Sequence, residues 1–242
     1  MLNSTSVELN ILEFDHIPIF EQLRLEEALL RAGTGNWCII NRGSDPAVVM
    51  GISAVTHEVV DVERAKREAI PLIRRFSGGG TVVVDEETLF FTIILDEKVL
   101  SQPNTHDMML WTHEILVPLF NPHLLELEEQ DYALDNLKVG GNAQCFASKR
   151  VLHHTSFLWS WKQERMSLLS VPKRQPLYRK DRQHGRFCNR LSNYFPSKDH
   201  FITMLIRRLR ELFNLKTGNE TEVRRVMALP YRQMLQFEGK SN

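Results

Sequence analysis

The chain has 242 residues, thirty basic and thirty acidic side chains, zero formal net charge, and 43% hydrophobic against 25% charged residues. That balance suits an ordinary globular protein able to bury a core, and it removes any global electrostatic case for nucleic acid or an anionic membrane as partner. Cys38, Cys145 and Cys188 are widely spaced with no CxxC pair, which excludes a zinc or disulfide framework and fits a reducing compartment.

No apolar run approaches the length of a membrane span. The first twenty residues lack Lys and Arg and carry Glu8, Glu13 and Asp15, unlike a secretory signal or an Arg-rich presequence. The expected location is therefore cytoplasmic. Ile19 to Ala32 has the spacing of an amphipathic helix, ended by Gly33 and Gly35. Trp37 to Asn41 and Ala47 to Gly51 read as strands, and Asp61 to Ala69 as a helix stopped by Pro71. Ile73 to Phe76, Thr81 to Asp85 and the apolar run Thr88 to Leu95 read as strands. His106 to Phe120 has helical spacing, with Pro118 limiting its last turn. Leu124 to Leu134 and Arg150 to Trp159 are again strand-like. Lys162 to Pro196, with Pro172, Pro176 and Pro196, reads as an irregular covering segment. Asp199 to Leu215 is a basic amphipathic helix, and Glu220 to Leu229 offers one more helix. Alternating strands and helices predict an α/β or α+β domain with a mixed central sheet packed by helices.

Charge is unevenly spread. Asp85 to Leu137 holds twelve acids against Lys98 alone, while Lys149 to Arg190 holds eleven bases against Glu164 and Asp181. Such asymmetry marks either a face for an anionic partner or a solvated surface.

Two short elements carry candidate chemistry. In Arg74-Arg75-Phe76-Ser77-Gly78-Gly79-Gly80 the glycines let backbone N–H groups approach an anion, and the arginines add bidentate donors. The element is neither a Walker loop nor a dinucleotide fingerprint; a hairpin with incidental arginines is the competing reading. In Asp131 to Gln144 an acidic strand enters an Asp135-Asn136 turn, and Lys138 then leads into Gly140-Gly141-Asn142-Ala143. A lysine beside glycines is a compact cation that reaches a ligand over bare backbone, although a surface lysine after a turn is the commoner case. Asp131 and Asp135 are candidate Mg²⁺ ligands or simply turn residues. His153 and His154 fall on opposite faces of a strand and make a poor shared metal site. Ser77, Cys145 and Cys188 are nucleophiles by type only, with no local signature.

Taken together these elements resemble the lipoate–protein ligase family, whose members carry RRxSGGG, then K-[VIF]-[SG]-G-[SN]-A, then H-x-[TS]-x-L. Here these correspond to Arg74 to Gly80, Lys138 to Ala143, and His153 to Trp159. Asp131 matches an aspartate seven residues before the family's lysine, and Pro176 to His184 looks like the P-x-Y-R-x-x-R-x-H of one branch. The resemblance covers about residues 15 to 215. It implies a biotin/lipoate ligase catalytic core related to class II aminoacyl-tRNA synthetases over 1–215. A short helical extension would follow over 216–242, too short for the separate accessory domain of many bacterial ligases, which leaves open a need for an accessory subunit.

The implied reaction activates lipoate with ATP to lipoyl-AMP. The acyl group then passes to a lysine of a lipoyl domain, on a 2-oxoacid dehydrogenase E2 subunit or the glycine cleavage H protein. By the same resemblance, Lys138 bridges carboxylate and α-phosphate. Arg74, Gly79 and Gly80 line the adenylate site, with Arg75, Ser77, Gly78, Gly140, Gly141, Asn142, Ala143 and His154 in the binding set. Asp131 positions Mg²⁺ or the nucleotide. The basic Lys149–Arg190 region would suit an acidic lipoyl domain. Val84-Asp85 departs from the family's frequent histidine-aspartate. The rivals are an ATP-independent octanoyltransferase, whose cysteine before the lysine motif has no counterpart between Cys38 and Cys145, and a non-catalytic lipoate or adenylate binder. A biotin ligase is disfavoured because its GRGRxGR element is missing.

Overall fold

A computed structural model describes residues 7–100, 103–171 and 175–238; part of the basic run, Lys173 and Arg174, and Pro172 of the irregular segment lie outside them. An eight-stranded sheet forms the centre. In spatial order it contains β11 (Asn214–Thr217), β1 (Glu8–Phe14), β2 (Trp37–Asn41), β6 (Thr88–Asp96), β10 (Arg150–Leu158), β9 (Leu137–Ala147), β8 (Asp131–Leu134) and β7 (Glu126–Glu128). The β11–β1 and β1–β2 pairs are parallel and the rest antiparallel. A second sheet runs β12 (Gln236–Glu238), β4 (Leu72–Arg74), β3 (Ala47–Met50) and β5 (Val82–Val84).

Alternation along the central strands sends Phe91, Ile93, Val151 and Phe157 to one face, where α4 (Thr105–Leu116) and α7 (Lys198–Leu212) cover them with Met108, Ile115, Phe201 and Leu205. Phe90, Ile94 and Leu152 point the other way, against α1 (Ile19–Ala32) and the inner residues Val49, Ile73 and Val84 of the small sheet. The outer face of that sheet packs Val48 and Met50 on Val60, Ala65 and Leu168, brought there by α2 (Thr56–Val59), α3 (Val62–Arg67) and α5 (Gln163–Met166). The mixed α/β architecture expected from the alternation is thus present.

Several elements depart from the expectation for local reasons. The lysine-glycine element, given no element of its own from sequence, is the first half of β9, an eleven-residue strand. Asp135 and Asn136 both adopt left-handed backbone, φ 54° and 60°, a tight hairpin that pairs Lys138 with Ala133 and Gly141 with Asp131. Leu124 to Leu134 splits into β7 and β8 because Glu129 turns left-handed, φ 56°. Asn104 caps α4 reciprocally with Asp107, and Pro118 tightens the helix end into a 3₁₀ turn over Val117–Leu119. Among the described residues the irregular segment contains short turns and two four-residue helices, α5 and α6 (His184–Phe187).

The C-terminal extension is not helical alone. After α8 (Glu220–Met227) the chain adds β12 to the small sheet, pairing antiparallel with β4. Met234 and Leu235 N–H groups donate to the buried Glu27 carboxylate on α1 at 2.9 and 3.1 Å, and Phe237 stacks on Phe20 at 3.8 Å. Burying that carboxylate is tolerable because the two N–H donors and Arg31 satisfy it.

Candidate active site

The glycine element leaves β4 and returns through β5 as an exposed loop over buried Arg75, Phe76 and Ser77. Arg75 is its brace. The guanidinium donates to Ser77 Oγ at 3.1 Å and to the Gly78 carbonyl at 2.6 Å. Burial without a carboxylate partner pushes its pKa down to about 10. Gly79 bends over this group at φ +100°; a Cβ there would stand 2.7 Å from Arg75 Nη2 and 3.4 Å from the Asn142 carbonyl oxygen. The loop therefore rests against β9 at Asn142, and only glycine fits both the backbone angle and the contact.

Next to Asn142 lies the lysine. Lys138 Nζ pairs with Asp131 Oδ1 at 2.7 Å, one strand over, and lies across Gly141, where an added Cβ would come within 2.8 Å of Nζ. Tyr178 O–H donates to the other oxygen of Asp131 at 3.0 Å. Burial, and then the Asp131 charge, raise the Tyr178 pKa well above its usual range, so the hydroxyl keeps its proton. The segment carrying Tyr178 is tied to the same hairpin: Asn189 N–H donates to the Lys138 carbonyl at 2.7 Å, and Arg182 to that of Asn136 at 3.1 Å.

Between the glycine loop, the start of α4 and the edge of β9 that runs on beyond β8 lies a cavity of ≈ 340 Å³. Its walls include Ser77, Gly78, Gly79, Asn142 and Gln144 on the polar side and Phe76, Met109, Ala143 and Phe146 on the apolar side. A polar rim of glycine backbone beside an apolar recess, with an ammonium lying over the neighbouring Gly141, can take a molecule with an anionic head and a hydrocarbon tail.

Residues 18–213 match the family model described as the lipoyl protein ligase A/B catalytic domain. The chain belongs to that family. Inactive lipoate–protein ligase 2 of Plasmodium falciparum is 27% identical over 277 residues, covering 86% of this chain and 72% of that protein. Among solved structures, the bipartite lipoate protein ligase of Thermoplasma acidophilum, studied with its E2 lipoyl domain, superposes with TM-score 0.72 at 20% identity over 91% of this chain and 92% of its own. A lipoate–protein ligase A bound with ATP gives TM-score 0.72 at 21% identity over 91% and 94%. These two likenesses establish the fold. The chain spans 34% of the putative lipoate–protein ligase A of Saccharomyces cerevisiae, which it also matches.

Within this ligase-family fold the expected residues do not all converge. Ser77, Gly78, Gly79, Asn142 and Ala143 line the cavity, and Lys138 with Gly141 adjoins it. Arg74 faces away. It donates to Glu238 on β12 at 2.5 Å, to the Ala54 carbonyl at 2.7 Å and to Thr56 Oγ at 3.1 Å, which makes it a structural clamp, while Arg75, just past the end of β4, braces the glycine loop from beneath. Gly80 is exposed beside the cavity, and Gly140 is buried in β9 under the Phe157 ring. His154 points to the α1 face, where its Nδ1 lies 3.0 Å from buried Glu26; it stands behind Ala143, its cross-strand partner.

Asp131 does not suit a protein-held Mg²⁺. Both its oxygens are taken, Asp135 is turned to accept from Tyr194 at 2.7 Å, and the described residues contain no group of three or more His, Cys, Asp or Glu able to hold a metal. Cys188 is brought alongside Lys138 by a backbone bridge, a neighbour invisible in sequence, but burial pushes its thiol up to about 11 and keeps it protonated at neutral pH. The charge asymmetry is partly internal: Arg165 pairs with Asp85 and, at 2.5 Å, with Glu86, and Lys162 reaches Glu86 at 2.6 Å. Tyr178 and Gln144 had motif neighbours in sequence but no signal for their roles. Glu238 had none, since its contact is set by the fold.

Proposed function

We propose that this chain is an ATP-dependent lipoate–protein ligase. The lipoate carboxylate attacks the α-phosphorus of ATP, the bond to the β-phosphate oxygen breaks, and pyrophosphate leaves. A lysine amine on a lipoyl domain then attacks the acyl carbon of lipoyl-AMP, loses a proton to solvent, and AMP leaves as the amide forms. Negative charge gathers on the α-phosphate oxygens during the first step, so fixed cations and N–H donors are the main resource. The observation that carries the reading is Lys138 Nζ, held over Gly141 by Asp131 and one residue from where the glycine loop touches β9. Lys138 would contact carboxylate and α-phosphate together, with the Gly78 and Gly79 backbone and the Arg75 brace shaping the phosphate side. No enzyme nucleophile is required, in keeping with the protonated state of Cys188. The ATP-bound and lipoyl-domain-bearing relatives support the choice of nucleotide and acceptor.

A second reading, a lipoate or adenylate binder without turnover, draws on the Plasmodium relative, an inactive lipoate–protein ligase. Mass spectrometry of an apo lipoyl domain separates the two. Parallel tubes hold lipoate with Mg-ATP, lipoate alone, and octanoyl carrier protein without ATP. The expected result is modification only with lipoate and ATP, reduced at least about a hundredfold in Lys138→Ala, by analogy with loss of one preorganised donor. Modification from the carrier would make the chain a transferase. Silence throughout, with no lipoate-dependent ATP–pyrophosphate exchange, would leave the binder.

A further inference from the structure

One wall of the cavity is wired by a directional chain of hydrogen bonds. Asn142 Nδ2–H donates to the Gln130 carbonyl at 3.0 Å, which turns Asn142 Oδ1 toward Thr155. The Thr155 hydroxyl must then give its single proton to that oxygen, at 2.6 Å. With its proton spent, Thr155 Oγ can only accept from the neighbouring His153 Nε2 at 3.2 Å, so Nε2 carries the ring proton. His153 is fully buried, and burial first, then the adjacent His154, lowers its pKa to about 3; the ring is neutral and Nδ1 is bare. Nδ1 therefore takes an N–H of Gln144, 3.0 Å away. A backbone carbonyl thus dictates, through four side chains, which end of the Gln144 amide is free: Oε1, which is buried and has no partner among the described residues.

A buried acceptor without a donor is costly, and Gln144 sits in the cavity wall with Asn142, Gly78 and Gly79. Of the two small substrates in the reaction proposed above, the ionised acid carries no N–H or O–H, whereas the nucleotide carries an exocyclic amine and ribose hydroxyls. We propose that Gln144 is a specificity-determining residue whose Oε1 accepts a hydrogen bond from an N–H or O–H of the bound nucleotide, with His153 as the positioning residue that fixes its orientation. This rests on the ligase reading, and it adds a nucleotide contact at the far end of the lysine element, from a residue that the family resemblance did not place in the binding set.

The test is calorimetric binding of α,β-methylene-ATP and, separately, of lipoate to the whole protein and to Gln144→Met, with circular dichroism to confirm folding. The expected result is a loss of about tenfold or more in nucleotide affinity, the size of one hydrogen bond to a buried group, with lipoate affinity within about twofold. Matching nucleotide analogues lacking the amine, the 2′-OH or the 3′-OH extend the test. One of them should bind the wild type more weakly than the parent nucleotide, and that difference should vanish in Gln144→Met, as in a double-mutant cycle. Nitrogen-15 NMR of His153 should show the Nε2–H tautomer. Unchanged nucleotide affinity, a loss confined to lipoate, or an Nδ1–H tautomer would overturn the inference while leaving the ligase reading intact. A wild type that binds no nucleotide would overturn both.

Discussion

Lys138 is held rather than free. Asp131 Oδ1 at 2.7 Å, seated by the Tyr178 hydroxyl at 3.0 Å, keeps its ammonium over the bare backbone of Gly141. The sequence made the lysine and its glycines visible as a pair, but not why the glycines are there; the close approach of Nζ to Gly141 supplies the reason. Gly141→Ala should therefore displace the ammonium, since its Cβ would stand 2.8 Å from Nζ. A shift of about 1 Å at a reacting group costs on the order of a hundredfold in rate. The expected outcome is that loss in lipoate-dependent ATP–pyrophosphate exchange with unfolding behaviour close to wild type. Exchange at wild-type rate would show that Nζ need not sit there. Arg74 and Arg75 carry the opposite lesson. They are equivalent in the motif, yet the fold gives one to Glu238 and the other to the glycine loop.

The glycine loop and the C-terminal strand behave as one unit. β12 closes the edge of the small sheet beside β4, Glu238 pairs with Arg74 at 2.5 Å, and Arg74 in turn collects the carbonyls of Gly51, Ile52 and Ala54. Removing residues 230–242 should bare that edge and the Glu27 carboxylate together. The measurable consequence is faster proteolytic cleavage near Arg74–Gly80 and a lower Tm, at about 2–4 °C for each kcal/mol lost in a domain of this size. Unaltered cleavage and Tm would mean that the strand is only laid on the surface. The main helices and the strongly apolar strands were legible because their periodicity is local. β12 was not, because three residues carry no period and their pairing partner lies some 160 residues earlier. β9 was assigned no element for a related reason: its glycines lower strand propensity, and only pairing with β8 and β10 overrides them.

For the molecule taken whole, two histidines make stability fall from neutral pH toward acid. His153 is lowered to about 3, by burial first and then by His154, and His184 to about 4, by burial first and then by Arg179 and Lys138. Both folded values lie below the unfolded 6.5, so the unfolded chain binds more protons between these limits. Their contribution is complete above pH 6.5 and is lost as pH falls through that window. Denaturant unfolding should show stability dropping from pH 7 to pH 5, with a slope of at most about 1.4 kcal/mol per pH unit for each proton. His184→Gln should flatten part of that slope; a flat wild-type profile over this range would contradict it. The uneven charge along the chain also resolves at this level, because the acidic stretch around Asp85 and Asp131 folds against the basic stretch that carries Arg165 and Tyr178.

Hydrophobic period, turn residues and several short ordered motifs were enough to point to an α/β chain, its main elements and the family to which it belongs, because each of these is written in neighbouring residues. What neighbouring residues cannot contain is which side chains meet across the sheet. The pairing of Lys138 with Asp131, the turning of Arg74 toward the tail, the burial of Cys188 beside the lysine and the wiring of Gln144 through His153 to Gln130 depend on strand register and on contacts between distant segments. Register is decided by burying one face of each strand, and that free energy exists only once the tertiary structure has formed.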